Sequence, residues 1–406
     1  MITPQLTQLA YRLGTINQFK TNEVGQNRFV YSPTWIDAQK QLIKWGLELR
    51  FQVNVDDFGT TYLDIPGTTE PKNVIATGSH IDTVAQGGKY DGLYGVLGGL
   101  QSIENLVAAF GQPKKTLRLI SFSEEEGSRF PDTFTGSKHY TGQPVDLNMQ
   151  DPAGIHFDDA RKSAIANLML PGTNHELPQL PATFTELHIE QGPRLINQGL
   201  QIGLVTAIVG QRRYTVTVKG IANHAGTTPM NDRADALQQA VDLILALRNA
   251  AHQLKPDLTF TVGEMHISPN TSNVVPGLVT FTIDCRNNDE AVLDRFEHII
   301  HQIVETPAAA KISSSVNRWA KSNVTHLDDQ LAQNNQLLAD QLGLKSVQLA
   351  SGAGHDSQIM AKVTRTTMIF VPSINGISHA PEENTSQADL LRGVELLSAS
   401  LHQQAY

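Results

Sequence analysis

The chain has 406 residues, of which 17% are charged and 40% apolar, and a formal net charge of −9. That length exceeds what a single hydrophobic core usually supports, so two domains are expected, and the lack of a concentrated basic window excludes nucleic acid as a partner. One cysteine, Cys285, excludes an internal disulfide and a thiolate cluster, fits a reducing cytoplasm, and leaves any transition-metal site to His, Asp and Glu.

The opening stretch MITPQLTQLAYRLGTINQF is amphipathic, with no uninterrupted apolar core and no small-residue cleavage site, so it reads as a helix and not as a signal peptide. No apolar run reaches the roughly 18 residues that span a membrane. NVIATGSH then reads as a strand, 93–110 as a helix and TLRLISFS as a strand. That alternation predicts parallel strands joined by crossover helices, an α/β layer.

After AIVG (207–210) the pattern changes. RRYTVTVKG reads as a strand, 232–250 as a helix with Leu237, Ala240, Val241, Ile244 and Leu245 on one face, and LTFTVGEMHI and LVTFTIDCR as strands. A helix over 290–304 carries Val292, Phe296, Ile299, Ile300 and Ile303 on one side, and AKISSSV is a last strand. The order βαββαβ is that of a ferredoxin-like unit. From about 326 the α/β pattern resumes, with TTMIFVPS as a further buried strand. The expected division is therefore 1–210 with 326–406, and an inserted domain over 211–325.

The chemistry-bearing residues follow strands of the α/β part. In GSHIDTVAQGGKYDGLYG (78–95), His80 and Asp82 come directly after NVIATGS; Glu124, Glu125 and Glu126 follow LRLISFS; His188 lies in FTELHIEQG; His379 follows MIFVPSINGIS. In open α/β sheets the carboxyl ends of strands line the ligand crevice, so residues nearly 300 positions apart can converge there. Singly, a lone His is more often structural and an acidic triplet more often a solvated face. This triplet, however, follows an apolar strand and continues as GSRF, without the Lys or Arg at helical spacing of a solvated helix.

Taken together, SHIDT…GGKYDG, EEEGSRF, ELHIEQGP, ANHAGTTPM, NVVPG, SGAGHD and NGISHAPEE resemble the dinuclear-metal amidohydrolases related to aminoacylases and zinc carboxypeptidases. The branch is that of allantoate amidohydrolases, N-carbamoyl-L-amino-acid hydrolases and β-ureidopropionases. The resemblance implies an α/β fold, a metallopeptidase-like catalytic domain with a mixed, mainly parallel sheet, plus a ferredoxin-like α+β dimerisation or lid domain. It implies two divalent metal ions per chain, zinc or manganese, with Asp91 bridging them, His80 and His188 completing one site, and Glu126 and His379 the other. Asp82 is placed to accept the other imidazole N–H of His80. Glu125 takes the position of the general base and His224 that of the oxyanion donor. Gln191, Asn273, Arg286 and His355 match positions that grip the substrate.

In FTIDCR the strand period puts Arg286 opposite the apolar face of Phe281, Ile283 and Cys285, where a guanidinium suits a carboxylate; Cys285 is expected in the core. The implied substrate is a small ureido carboxylate. IVGQRRYTVTV, SGAGHDSQI and VPSINGISH resemble the allantoate enzymes most, which implies a role in purine catabolism. A pocket wall for the two polar ureido arms is expected from Ser373, Asn375 and His355. The alternatives are an N-carbamoyl-L-amino-acid hydrolase or β-ureidopropionase, a dinuclear-zinc aminoacylase or peptidase, and a non-catalytic relative that keeps the fold. A cytoplasmic homodimer, paired through the inserted domain, completes the expectation.

Overall fold

The computed structural model of the protein describes residues 6–21, 24–306 and 311–406. It divides into two compact units, Met1–Thr206 with His326–Tyr406, and Ala207–Thr325. The first junction falls at 206/207, earlier than the 210/211 read from the sequence, within the strand Ile202–Ile208. Residues 6–16 of the opening stretch form the helix Leu6–Ile16; the reading of residues 1–5 lies outside the described residues. Among the described residues no helix is long and apolar enough to cross a membrane.

The first unit is built on a ten-stranded mixed sheet. Four of its strands lie side by side in the order Arg365–Val371, Thr183–Ile189, Glu70–His80, Lys115–Phe122, and all four run parallel. Thr183–Ile189 is buried at every position and Lys115–Phe122 at all but the first. This is the consequence of helices covering both faces of parallel strands, and it explains why these strands read as unbroken apolar runs. On the flanks the pairing turns antiparallel, Thr61–Ile65 against Lys115–Phe122 and Ile202–Ile208 against Arg365–Val371.

A parallel connection needs a crossover, and the helix Leu93–Phe110 supplies it between Glu70–His80 and Lys115–Phe122. Its glycines set how closely it lies on the sheet. A Cβ at Gly95 would stand 2.2 Å from the Leu187 carbonyl oxygen, and one at Gly99 would stand 2.7 Å from Leu119 Cδ1. The start of this helix is thereby held against the carboxyl ends of the central strands.

The second unit is built on a five-stranded sheet. Leu278–Asn287 pairs antiparallel with Gly210–Lys219, which pairs antiparallel with Ser313–Ser322; Thr259–Thr261 and Met265–Ser268 share the other edge of Leu278–Asn287. Counting those two short strands as one interrupted strand, this is the strand order of a ferredoxin-like unit. Along Gly210–Lys219 burial alternates residue by residue, so one face is core and the other is not. The helices Ala236–Leu254 and Glu290–Glu305 pack on the core face, and Cys285 is 0% exposed there.

The apolar stripe of the helix Ala236–Leu254 differs from the one read in the sequence. Ala236, Ala240, Leu243, Leu247 and Ala251 are buried, whereas Val241 is 52% and Leu245 47% exposed. The helix is apolar around more than one face, and the alanine-bearing side, which permits the closer approach, meets the sheet. Its start is also later than expected, at Ala236, because Asp235 caps it by accepting the N–H groups of Leu237 and Gln238.

Candidate metal centre

The four parallel strands each deliver one piece of the site at their carboxyl ends. Glu70–His80 ends on His80, Thr183–Ile189 carries His188, Lys115–Phe122 leads into Glu125 and Glu126, and Arg365–Val371 leads into the loop of His379. Asp91 comes from the turn into the crossover helix, where Gly92 has φ +62 and leaves room that a Cβ, 2.4 Å from the His80 ring, would fill. His80, Asp91 and His188 form one set whose ligand atoms all lie within 4.8 Å of one another, Asp91, Glu126 and His379 form another, and His80, Glu125 and Glu126 are clustered equally closely. Asp91 belongs to the first two. Its Oδ1 faces His188 Nε2 at 3.1 Å and His80 Nε2 at 3.7 Å, while its Oδ2 faces His379 Nε2 at 3.1 Å.

The imidazoles are oriented from behind. His188 Nδ1 lies 2.8 Å from the Ile189 carbonyl, and His80 Nδ1 lies 3.1 Å from the Asp82 carbonyl and 3.3 Å from Asp82 Oδ1. A proton on each Nδ1 satisfies these acceptors and turns both Nε2 atoms toward Asp91, the arrangement a metal-ligating histidine adopts. The Asp82 carboxylate also accepts the backbone N–H groups of Glu125 and Glu126, which ties the two acid-bearing loops together.

These residues fit a pair of cations. Glu126 Oε1 is buried with no hydrogen-bond partner, an arrangement that costs stability unless something positive approaches it. Burial, reinforced by the Asp91 charge, pushes the Glu126 carboxyl up to about 8. Burial also holds Glu125 well above the usual carboxylate range, against the pull of His80. Burial alone would raise Asp91 too, but the hydrogen bonds of His188 and His379 keep it well below. In turn the hydrogen bond to Asp91 raises His379 to about 9. The donor set of imidazole and carboxylate suits divalent metal ions. Glu125, 8% exposed, sits with its Oε2 3.9 Å from His80 Nε2, beside the ligands.

Gln191 and His379 both have positive φ, at 57° and 55°, a conformation that non-glycine residues adopt at a cost and that is often found at functional sites. Gln191 Nε2 lies 2.8 Å from Asp91 Oδ2, and its Oε1 is buried without a partner. His355 is 1% exposed, takes Ser351 Oγ at 2.9 Å on its Nε2, and stands edge-on to His188 at 4.7 Å between ring centroids. Of the expected pocket wall, Asn375 is exposed and Ser373 is buried, with its Oγ accepting the Gln191 N–H. Asn375 lies in the tight turn Ile374–Gly376 with φ 59°.

Within the second unit, His224 and Asn273 are neighbours. A two-stranded ribbon pairs His224 with Val274, and the Asn273 carbonyl accepts the Ala225 N–H. His224 Nδ1 accepts the N–H groups of Gly226 and Thr227 at 3.0 and 3.2 Å. The neutral ring therefore carries its proton on Nε2, as an outward donor. Arg286 lies on the face away from the core and holds Asp284 through Nε and Nη2 at 3.0 and 3.1 Å.

Two further residues had no role assigned from the sequence. Glu383, in the stretch just after His379, is 0% exposed and accepts the backbone N–H of both Tyr90 and Asp91. Arg28, also 0% exposed, donates its Nε to the Ile81 carbonyl at 2.6 Å, and burial lowers it to about 10. Nothing in the pattern of residues around Arg28 marks it. For Glu383 the signal is its place at the end of NGISHAPEE, the stretch that also carries His379.

A model of the peptidase family M20/M25/M40 matches residues 76–403. The allantoate amidohydrolase of Escherichia coli (strain K12) is 41% identical, over 94% of this chain and 93% of its own. An N-carbamoyl-L-amino-acid amidohydrolase of Paenarthrobacter aurescens is 32% identical, over 97% of this chain and 96% of its own. Among solved structures, an amidase of the hydantoinase/carbamoylase family from Burkholderia multivorans superposes with a TM-score of 0.92 at 29% identity, covering 100% of this chain and 98% of its own. The chain belongs to the peptidase family M20/M25/M40, among its amidohydrolases that act on carbon–nitrogen bonds other than peptide bonds.

Proposed function

We propose that the protein hydrolyses a ureido C–N bond of allantoate, releasing ammonia and carbon dioxide, with two divalent ions held by His80, Asp91, Glu126, His188 and His379. The observation that carries this reading is the Asp91 carboxylate, whose two oxygens face separate sets of imidazole and carboxylate ligands. Zinc or manganese bound there would polarise the ureido carbonyl and lower the pKa of a bound water from about 15.7 to about 7. Glu125, which is not needed as a ligand, takes the proton from the attacking water and delivers it to the departing nitrogen. Asp82 keeps the His80 ring in register, and the buried Gln191 Oε1 accepts a ureido N–H. His355 forms the wall behind His188.

The Ala207–Thr325 unit contributes the remaining recognition. The Nε2–H of His224 is a fixed donor suited to the tetrahedral oxyanion. Asn273 beside it binds a polar arm of the substrate, and Arg286 binds its carboxylate. This unit is also the dimerisation domain in our reading. The half-exposed Val241 and Leu245 on its helix and the open edge of Ser313–Ser322 are surfaces that a two-fold axis would cover. Val241→Asp with Leu245→Asp should then halve the mass by light scattering; an unchanged mass, or a wild type already monomeric, rejects that pairing. The lone, buried cysteine supports a reducing, cytoplasmic setting.

Allantoate is favoured over N-carbamoyl amino acids because the relative bearing its name is 41% identical, against 32% for the carbamoylase. The deciding measurement is ammonia release from allantoate, 3-ureidopropionate, N-carbamoyl-L-amino acids and acetylated amino acids, each with added Mn²⁺ or Zn²⁺. Allantoate should be turned over fastest. Faster release from a carbamoyl amino acid would replace the substrate and leave the site as described.

A further inference from the structure

The geometry assigns Glu383 as a positioning residue for the bridging carboxylate, locking the Asp91 turn to the His379 loop; this rests on the two-metal reading above. Glu383 lies 292 residues from Asp91 along the chain, yet its Oε1 accepts the N–H of Tyr90 at 2.8 Å and of Asp91 at 3.1 Å. Its Oε2 accepts the Ser378 hydroxyl at 2.7 Å, and the same hydroxyl is 3.1 Å from Asp91 Oδ2. One carboxylate thus joins the backbone of one ligand to the residue preceding another. The turn is shaped to admit it: a Cβ on Gly88 would fall 2.1 Å from Glu383 Cδ, so a side chain there would push the carboxylate away.

This matters because Asp91 sits in a turn and not in a strand. The other histidine ligands of its first set are carried at strand ends, where the sheet's own ladder fixes them. Asp91 Oδ1 and Oδ2 must each stay within ligand range of a different group, and a tilt of the 88–92 turn would satisfy one at the expense of the other. Two N–H groups anchored on a fully buried acceptor remove that tilt. The acceptor comes from the segment that also carries His379, so both sides of the second set move as one body. Partners that act behind the ligands in this way contribute roughly 10- to 100-fold to metal affinity.

The test titrates metal-stripped protein with Zn²⁺ against a chromophoric chelator and reads melting temperature with and without the ion. Glu383→Ala should bind Zn²⁺ about 10- to 100-fold more weakly than wild type, and the rise in melting temperature on adding the ion should shrink. Glu383→Gln, whose amide oxygen still accepts both N–H groups, should restore most of the affinity. Ser378→Ala, which removes one of the three donors, should lose less than Glu383→Ala. The assignment is overturned if Glu383→Ala binds as tightly as wild type, or if Glu383→Gln is as weak as Glu383→Ala. It is also overturned if the melting temperatures with and without Zn²⁺ fall equally, since that marks a purely structural residue. A wild-type protein that takes up no ions would instead remove the metal reading beneath it, so the two failures are distinguishable.

Discussion

The two units solve the problem of holding a functional group differently. In the first, His80, Asp91 and His188 are 1%, 5% and 1% exposed, and each is pinned by the end of a buried strand or by a turn clamped to one. In the second, His224 and Arg286 project from an exposed ribbon and from the open face of a sheet, and near neighbours in the chain are among their partners: Gly226 and Thr227 for His224, Asp284 for Arg286. The difference has a physical cause. Under the proposed function, a set of ligands held within tight limits of distance needs a mostly buried framework, in which His379 alone of the five is exposed, whereas His224 and Arg286 meet a substrate that must enter and leave. On that reading, substitutions of the ligands and of Glu125 in the first unit should remove the chemistry, substitution of Arg286 in the second should weaken capture, and substitution of His224, the proposed oxyanion donor, should lower turnover.

Asp91→Ala is the harshest test of that contrast. Because both ligand sets depend on this one carboxylate, metal content should fall from about two ions per chain toward none, with activity lost. Retention of one full site would show that the bridge is not shared. Next in size is Glu125→Gln, which keeps the side-chain shape but cannot accept a proton. Turnover should drop by about 10²- to 10⁴-fold with metal content unchanged. If the ions leave instead, while Glu126→Gln keeps them, the two neighbouring glutamates have exchanged roles.

How much of this was legible in the sequence follows the same division. The strands NVIATGSH, TLRLISFS and TTMIFVPS and the helix 93–110 were readable because parallel, doubly covered strands are continuous apolar runs and the helix is long and periodic. The candidate ligands could be picked out because His80 and His188 lie in such strands and the loops of Glu126 and His379 each follow one. The parts played by Glu383 and Arg28 could not, since each accepts from or donates to backbone groups, and a backbone partner leaves no mark in the sequence. The misread stripe on Ala236–Leu254 has a similar origin: periodicity marks Val241 and Leu245 as apolar, but which apolar face meets the sheet depends on how closely the helix can approach.

The smallest expected effect, and the sharpest probe of the second unit, is Arg286→Lys. The Asp284 carboxylate is the meeting point of three donors, Arg286, Arg213 Nε at 2.9 Å and Gln211 Nε2 at 2.7 Å. Burial would raise that carboxyl, yet the hydrogen bond and charge of Arg286 hold it below its usual range. A guanidinium is planar and presents its donors in a fixed fork, whereas an ammonium is a point charge on a flexible stem without that bidentate geometry. Arg286→Lys should accordingly raise KM for every carboxylate-bearing substrate by about tenfold, the size of one charge-assisted contact of roughly 1.5 kcal/mol, with kcat and metal content nearly unchanged. A fall in kcat with constant KM would place Arg286 in the transition state and not in capture, and an unchanged KM would leave it as no more than the partner of Asp284.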